Sequence, residues 1–242
     1  MFCCVLSVIV PWILLQRFHT KPLQRSDTQP LKSYHTEPFP TRPPAAVHEN
    51  LTDCWGLYKH DIDTKRSTSF VPGHSVMMEP TSVKMLCSLL TPQTRVLEWG
   101  SGGSTLFFSR FVRRWDTIEH DTAWVAQMRR LVQGMPNVHL HSATHSWDKF
   151  GDGNYTQFQE YVDLPAHLGL HYDVVLVDRR ARIACAHAVA IYQLTAPGGI
   201  VIVHDWERIE YKSVLREFDL VQEDTVGRRH LGVLQLKGNG AG

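Results

Sequence analysis

The stretch Val96-Leu97-Glu98-Trp99-Gly100-Ser101-Gly102-Gly103-Ser104-Thr105, followed by Thr117-Ile118-Glu119-His120-Asp121, constrains the fold of this chain more than any other. An apolar run ends in an acid and a glycine-rich turn. A helix-forming segment follows, and a second short strand pattern ends in another acid. Glycine lets the backbone turn sharply and come close to a ligand that a Cβ would exclude. A carboxylate about 20 residues past such a turn is placed to accept hydrogen bonds from a ribose diol. The pattern points to a nucleoside-containing cofactor.

Glycine spacing narrows the choice. A dinucleotide fingerprint carries a third glycine that lets helix and strand pack closely; Thr105 stands in its place here. Glu98, two residues before Gly100, puts an anion in the turn, which repels a pyrophosphate and suits an ammonium or sulfonium. S-adenosylmethionine fits that requirement better than a nicotinamide dinucleotide. No G-x-x-x-x-G-K-[ST] loop is present, which argues against an NTPase.

The rest of the chain alternates. Strands are expected at 95–99, 115–119, 137–141, 172–177 and 200–203, with helices at 80–90, 104–112, 122–132, 182–194 and 207–217, and a terminal hairpin at 219–224 and 229–236. Tyr172 to Val177 is a near-continuous aliphatic run, as in a strand buried on both faces. The reading is an α/β fold: one doubly wound, mostly parallel seven-stranded sheet with helices on both faces and an antiparallel C-terminal hairpin. A domain is expected over 75–237 and a short tail at 238–242. The segment 142–171 is long for an α/β connection and carries Trp147, Phe150, Tyr155, Phe158 and Tyr161. It reads either as an aromatic-walled substrate lid or as a helix packed on the sheet.

Glu98-Trp99-Gly100-Ser101-Gly102-Gly103-Ser104-Thr105, Ile118-Glu119-His120-Asp121 and Trp124, Tyr172 to Asp178 with Arg180 to Ala186, and Pro197 to Asp205 together resemble the class I S-adenosylmethionine-dependent methyltransferases. The likeness is to a subgroup reading E-x-G-S-G-G-S-T and then x-E-H-D-x-x-W. It covers residues 75 to 237 and implies a methyltransferase using S-adenosyl-L-methionine. The subgroup usually has glycine after the aspartate of the fourth strand, where this chain has Arg179.

Ligands of such sheets bind outside the carboxyl ends of the strands. Those ends are Glu98, Glu119, Asp178 and the pair His204-Asp205. Gly100, Ser101 and Gly102 are expected to let the backbone approach the cofactor, with Ser104 and Thr105 completing the loop. Glu98 is expected to face the methionyl end and Glu119 the ribose hydroxyls, while His120, Asp121 and Ser142 border the adenine. Asp178, His204 and Asp205 are the candidate catalytic groups, because methyl transfer needs an aligned acceptor and often a base. Catechol-type relatives bind a metal with two aspartates and an asparagine; here the third place is Trp206, so no metal is expected. The expected acceptor is an oxygen or nitrogen of a small molecule or sugar. The alternative is a binding or scaffold protein that keeps the fold but not the activity.

The net charge of +1 provides no global field for nucleic acid, and none is expected as a partner. Cys3, Cys4, Cys54, Cys87 and Cys185 form no C-x-x-C pattern, so neither a structural zinc nor a disulfide framework is expected. Phe2 to Leu15 is apolar but shorter than the about 20 residues of a spanning helix, and reads as a signal-like or signal-anchor leader. Arg17, Lys21 and Arg25 follow it, and the positive-inside rule then leaves the body of the protein cytoplasmic. Residues 16–50 hold six of the thirteen prolines and read as a linker. Residues 51–74 are transitional, with Trp55 and Tyr58 able to pack on the domain or cover the cofactor.

Overall fold

The computed structural model describes residues 53–64, 75–146 and 151–238. The leader, the linker, Trp147, Phe150 and most of the tail lie outside the described residues. Seven strands form one sheet: β1 (Arg95–Trp99), β2 (Arg114–Glu119), β3 (Val138–Ser142), β4 (Tyr172–Val177), β5 (Thr195–His204), β6 (Phe218–Asp224) and β7 (Leu231–Leu236). Their order is β3-β2-β1-β4-β5-β7-β6. β1 to β5 pair in parallel, and β7 runs antiparallel to both β5 and β6. The α/β sheet expected from the alternating pattern is the one observed. The strand order reverses between β1 and β4, so the crevice above their carboxyl ends is the place where such sheets hold ligands.

Period-two alternation sends successive side chains to opposite layers. Val96, Val174, Leu176 and Ile202 point into one apolar cluster, with Leu57, Val83, Leu86, Phe107 and Phe108 from α1 (Cys54–Thr64), α2 (Pro80–Leu89) and α3 (Gly103–Phe108). Leu97, Trp99, Val175, Val177, Val201 and Val203 point into the other. There they meet Tyr161 and Val162 of α5 (Gln159–Asp163), Cys185, Ala186 and Val189 of α6 (Arg182–Ile191), and Tyr211 and Val214. Between β2 and β3 the chain forms α4 (Thr122–Leu131).

Some expectations shift. The helix expected at 207–217 is a 3-10 helix over Ile209–Arg216. Its buried residues Tyr211 and Val214 are three apart, a spacing that a three-residue turn stacks on one side. The transitional segment contains α1, and Tyr58 is buried against Phe107 with ring centroids 5.7 Å apart. Trp55 stacks on Tyr58. Both aromatics pack on the domain, in the layer of α2 and α3. Phe158 and Tyr161, candidates for lid walls, are fully buried beneath the sheet rim, whereas Tyr155 is exposed.

The cysteine reading is corrected. Cys54 and Cys87 form a disulfide that joins α1 to α2, with Cα atoms 5.4 Å apart. The partners are 33 residues apart in sequence, and only the packing of two helices in one layer brings them together. Among the described residues no helix is long and apolar enough to cross a membrane.

Candidate cofactor and catalytic site

Strand register builds the rim. Trp99 pairs with Ile118 on one side and Val177 on the other, Glu119 pairs with Ser142, and Val177 pairs with Val203. The residues after these positions therefore emerge together. The turn after β1 begins at Gly100, whose φ of +99° is a conformation that favours glycine. Its amide donates to the carbonyl of Ile118 at 2.8 Å. A Cβ on Gly100 would meet the Arg179 Cβ at 2.3 Å, so the stem of Arg179 lies directly over this turn. By contrast, the space beside Gly102 is open, with nothing within 4 Å of a Cβ placed there. Trp124 fixes the loop from behind, its indole N–H donating to the Ser101 carbonyl at 2.9 Å.

Glu98 does not face the cleft. It shares a strand face with Val96, two residues earlier, and so turns into the α2 and α3 layer. It is fully buried. Ser104 and Thr105 donate their hydroxyls to its two oxygens, and the Trp115 indole N–H donates at 2.8 Å. Burial pushes its pKa up to about 7, against the lowering effect of those three donors. The cofactor roles expected of Glu98, Ser104 and Thr105 therefore give way to a structural one, in which the three side chains fasten the first turn of α3 to β1.

Glu119 stays at the rim. One oxygen accepts from the Ser101 amide and hydroxyl, both at 3.0 Å; the other accepts from the amides of His120 and Asp121 at 2.9 and 3.1 Å. Burial alone would raise its pKa, but His120 and the amides of Asp121 and Ser101 bring it down to about 2. The carboxylate is therefore ionised and preorganised as an acceptor. The ribose hydroxyls expected on it have a counterpart in the Ser101 hydroxyl, which occupies one acceptor position.

His120 is buried, its ring edge-on to His145, Phe158 and Tyr161 at 4.9 to 5.3 Å between centroids. Its Nδ1 lies 3.0 Å from Glu119 yet lacks hydrogen-bond geometry. His145 stacks on Phe158 at 5.4 Å. This aromatic corner is where an adenine is expected, and it includes Phe158, read from sequence as a lid wall or as packing, and His145, to which the sequence pattern assigned no role. Asp121 is exposed and caps α4, accepting from the amides of Ala123 and Trp124. Ser142 is exposed on the outer edge strand. Asp121 is thus engaged by local backbone chemistry, while Ser142 lies in register with Glu119.

The catalytic candidates gather beyond β4 and β5. His204 Nδ1 lies 2.6 Å from Asp178 Oδ1 and 3.6 Å from Asp205 Oδ1. Burial lowers the imidazole pKa, but Asp178 and Asp205 outweigh it, and the net direction is upward. His204 Nε2 is buried without a hydrogen-bond partner, whereas the Asp178 side chain is 22% exposed. Asp178 is therefore the partly exposed member of the pair and His204 the buried one.

Arg182, unassigned from sequence, organises the surroundings. It is 8% exposed and donates to Asp152 and to the Tyr211 hydroxyl at 2.9 Å and to the Asp178 carbonyl at 3.0 Å, while pairing with Asp205 at 3.0 Å. Burial lowers its pKa, but Tyr211 and three aspartates more than reverse this and hold it charged. Arg208 pairs with the same Asp205 oxygen at 2.9 Å. Asp205 is thus a strut between two guanidinium groups rather than a free base. Asp205 and Ala181 both have positive φ, 59° and 49°. Strained backbone of this kind tends to gather at functional sites.

Trp206 is fully buried. Among the described residues no group of three His, Cys, Asp or Glu side chains is arranged to hold a metal. A groove of about 590 Å³ runs beside the aromatic corner, lined by Thr144, His145, Gln157, Glu160 and Asp163 among others. None of its lining residues belongs to the Asp178–His204 cluster.

No model of a known protein family matches the chain, and no curated protein does. Solved structures do. A methyltransferase-like protein from Silicibacter pomeroyi is 24% identical, covering 69% of this chain and 92% of its own, with a TM-score of 0.50. A precorrin 8w decarboxylase from Methanobacterium thermoautotrophicum is 16% identical over 69% and 95%, at 0.48. An rRNA methylase from Streptococcus thermophilus is 11% identical over 67% and 99%, at 0.46. At this level of identity the first likeness speaks for architecture: the chain has the class I methyltransferase fold.

Proposed function

We propose that this domain is an S-adenosylmethionine-dependent methyltransferase acting on an oxygen or nitrogen of a small molecule or sugar. The observation that carries the reading is the ionised Glu119 carboxylate at the rim, beside a glycine turn with open space at Gly102. The residues present fit the cofactor: Glu119 and Ser101 would hold the ribose, and His120, His145 and Phe158 the adenine. When bound, the cofactor supplies an electrophilic methyl group on a sulfonium. Asp178, partly exposed, takes the proton lost by the acceptor hydroxyl or amine. His204 orients Asp178 through the 2.6 Å contact and spreads the charge. Arg182 and Arg208 hold Asp205 and keep this side of the rim rigid. Among the described residues the nearby groove has no lysine or arginine in its lining and carries Glu160 and Asp163, which suits a neutral hydroxylated acceptor over a phosphodiester.

Calorimetric titration with S-adenosylhomocysteine tests the reading. A hydrogen bond to a charged group contributes about 1.5–3 kcal/mol, so Glu119→Ala weakens binding roughly 10- to 100-fold. A folded wild-type protein that takes up neither this nucleoside nor S-adenosylmethionine refutes it. One observation favours a second reading, a scaffold without turnover: Arg179 lies over Gly100 and Ser101 covers Glu119. Cofactor binding without methyl transfer across a panel of hydroxyl and amine acceptors supports that alternative.

A further inference from the structure

Asn154-Tyr155-Thr156 reads N-x-T with a non-proline centre, the acceptor pattern for N-linked glycosylation. Asn154, Tyr155 and Thr156 are all exposed. Asn154 caps the 3-10 turn Tyr155–Gln157, and its geometry is specific. Its Oδ1 accepts from the Thr156 hydroxyl at 2.8 Å and from the Gln157 amide at 3.3 Å. Tyr155 is turned toward α5, where its hydroxyl donates to Asp163 at 2.7 Å. With the oxygen committed to the turn, the carboxamide nitrogen is the end left for a substituent.

The pattern alone is weak, since the three residue types meet by chance in many chains. The second observation is independent of it. The Cys54–Cys87 disulfide joins two helices of the domain, and such bonds persist in oxidising compartments and are rare where thiols are kept reduced. The sugar-transfer machinery works in that same kind of compartment. We propose that Asn154 is an N-glycosylation site and that the domain matures in an oxidising secretory lumen. The apolar run Phe2 to Leu15 is the sequence feature of a chain directed there. The cations after that run favour the opposite orientation, but the disulfide is a property of the domain itself and outweighs a loop-charge bias.

The step is a substitution without redox change. Asn154 Nδ2 bonds to the anomeric carbon of a lipid-pyrophosphate-linked oligosaccharide. The bond from that carbon to the phosphate oxygen breaks, the lipid pyrophosphate leaves with the electron pair, and one amide proton passes to a base of the transferase. The product keeps one N–H and adds a polar surface group.

The test expresses the full chain, with its own first residues, in a eukaryotic cell line with an intact secretory pathway. The expected result is a drop in apparent mass on treatment with peptide N-glycosidase and conversion of Asn154 to aspartate in the mapped peptide. Asn154→Gln and Thr156→Ala each lose that modification, and Thr156→Ser keeps it. Under non-reducing conditions Cys54 and Cys87 are recovered linked. An unmodified Asn154 peptide from the wild-type chain overturns the proposal, as does a glycan found only at Asn50 of Asn50-Leu51-Thr52, the other N-x-T pattern in the sequence, or Cys54 and Cys87 alkylated as free thiols. None of these readouts depends on methyl transfer, so the result is separate from that of the function proposed above.

Discussion

Replacing Glu98 by glutamine raises stability at alkaline pH, which is unusual for removal of a carboxylate with three hydrogen-bond donors. Burial raises its pKa from 4.5 to about 7 in the folded protein. Between those values the native state holds a proton that the unfolded chain has released. Stability therefore falls as pH rises through this window and is level below and above it. A rise of that size corresponds to about 3 kcal/mol, at roughly 1.36 kcal/mol for each pH unit. Glutamine removes the titration with little change of shape. Its oxygen accepts from the Trp115 indole, and the Ser104 hydroxyl turns to accept from the new amide. Glu98→Gln should match wild type near pH 4.5 and exceed it by about 3 kcal/mol near pH 8, or roughly 6–12 °C in Tm for a domain of this size. Urea melts of both proteins at half-unit steps from pH 4.5 to 8 measure the difference directly, because other titrating groups cancel. Parallel curves, or a glutamine variant less stable at pH 8, would refute the argument that the charged form is the costly one.

The remaining expectations concern the rim and the disulfide. Gly100→Ala places a methyl group on a residue at φ +99° and against Arg179, so it should lower stability and cofactor affinity together; the same change in an Arg179→Ala background tests whether the clash or the backbone dominates. Arg182→Leu leaves Asp152 and Asp205 without their buried partner and should cost about 3–5 kcal/mol by denaturant melt. Because the His204 pKa is raised above 6.5, its protonated form contributes stability that is present below that value and lost as pH rises through the folded pKa. Asp178→Asn should move the imidazole titration, followed by NMR, to lower pH; an unmoved titration would show that Asp178 is not its main partner. Reduction of Cys54–Cys87, or the paired serine variant, should cost about 3–4 kcal/mol if chain entropy over the 33-residue separation dominates.

The order of strands and helices from β1 to β7 was legible because each buried strand is a short aliphatic run closed by a turn residue, and each helix has a different period. Glu119, Gly100 and Asp178 could be placed at the rim for the same reason: a carboxylate or glycine at the end of such a run has one place to go in a parallel sheet. His145 left no comparable signal, and Phe158 stood out only as one aromatic of a long connection; both meet the site by packing against His120. Arg182 stands in a segment that carries the resemblance and opens the helix expected at 182–194, but no role attaches to it without the packing.

Topology, and the set of strand ends that share one edge, follow from the order of residues, because local period and turn chemistry act within a few positions. The direction of each side chain at that edge follows instead from how the layers pack. Glu98, one position short of the end of β1, is buried under α3 as a fastener, while Glu119, on the same sheet face but at the end of β2, remains an acceptor at the rim. Layer packing also joined Cys54 to Cys87 and turned Asp205 into a strut between Arg182 and Arg208. These pairings are set by distances across layers, to which sequence separation gives no guide.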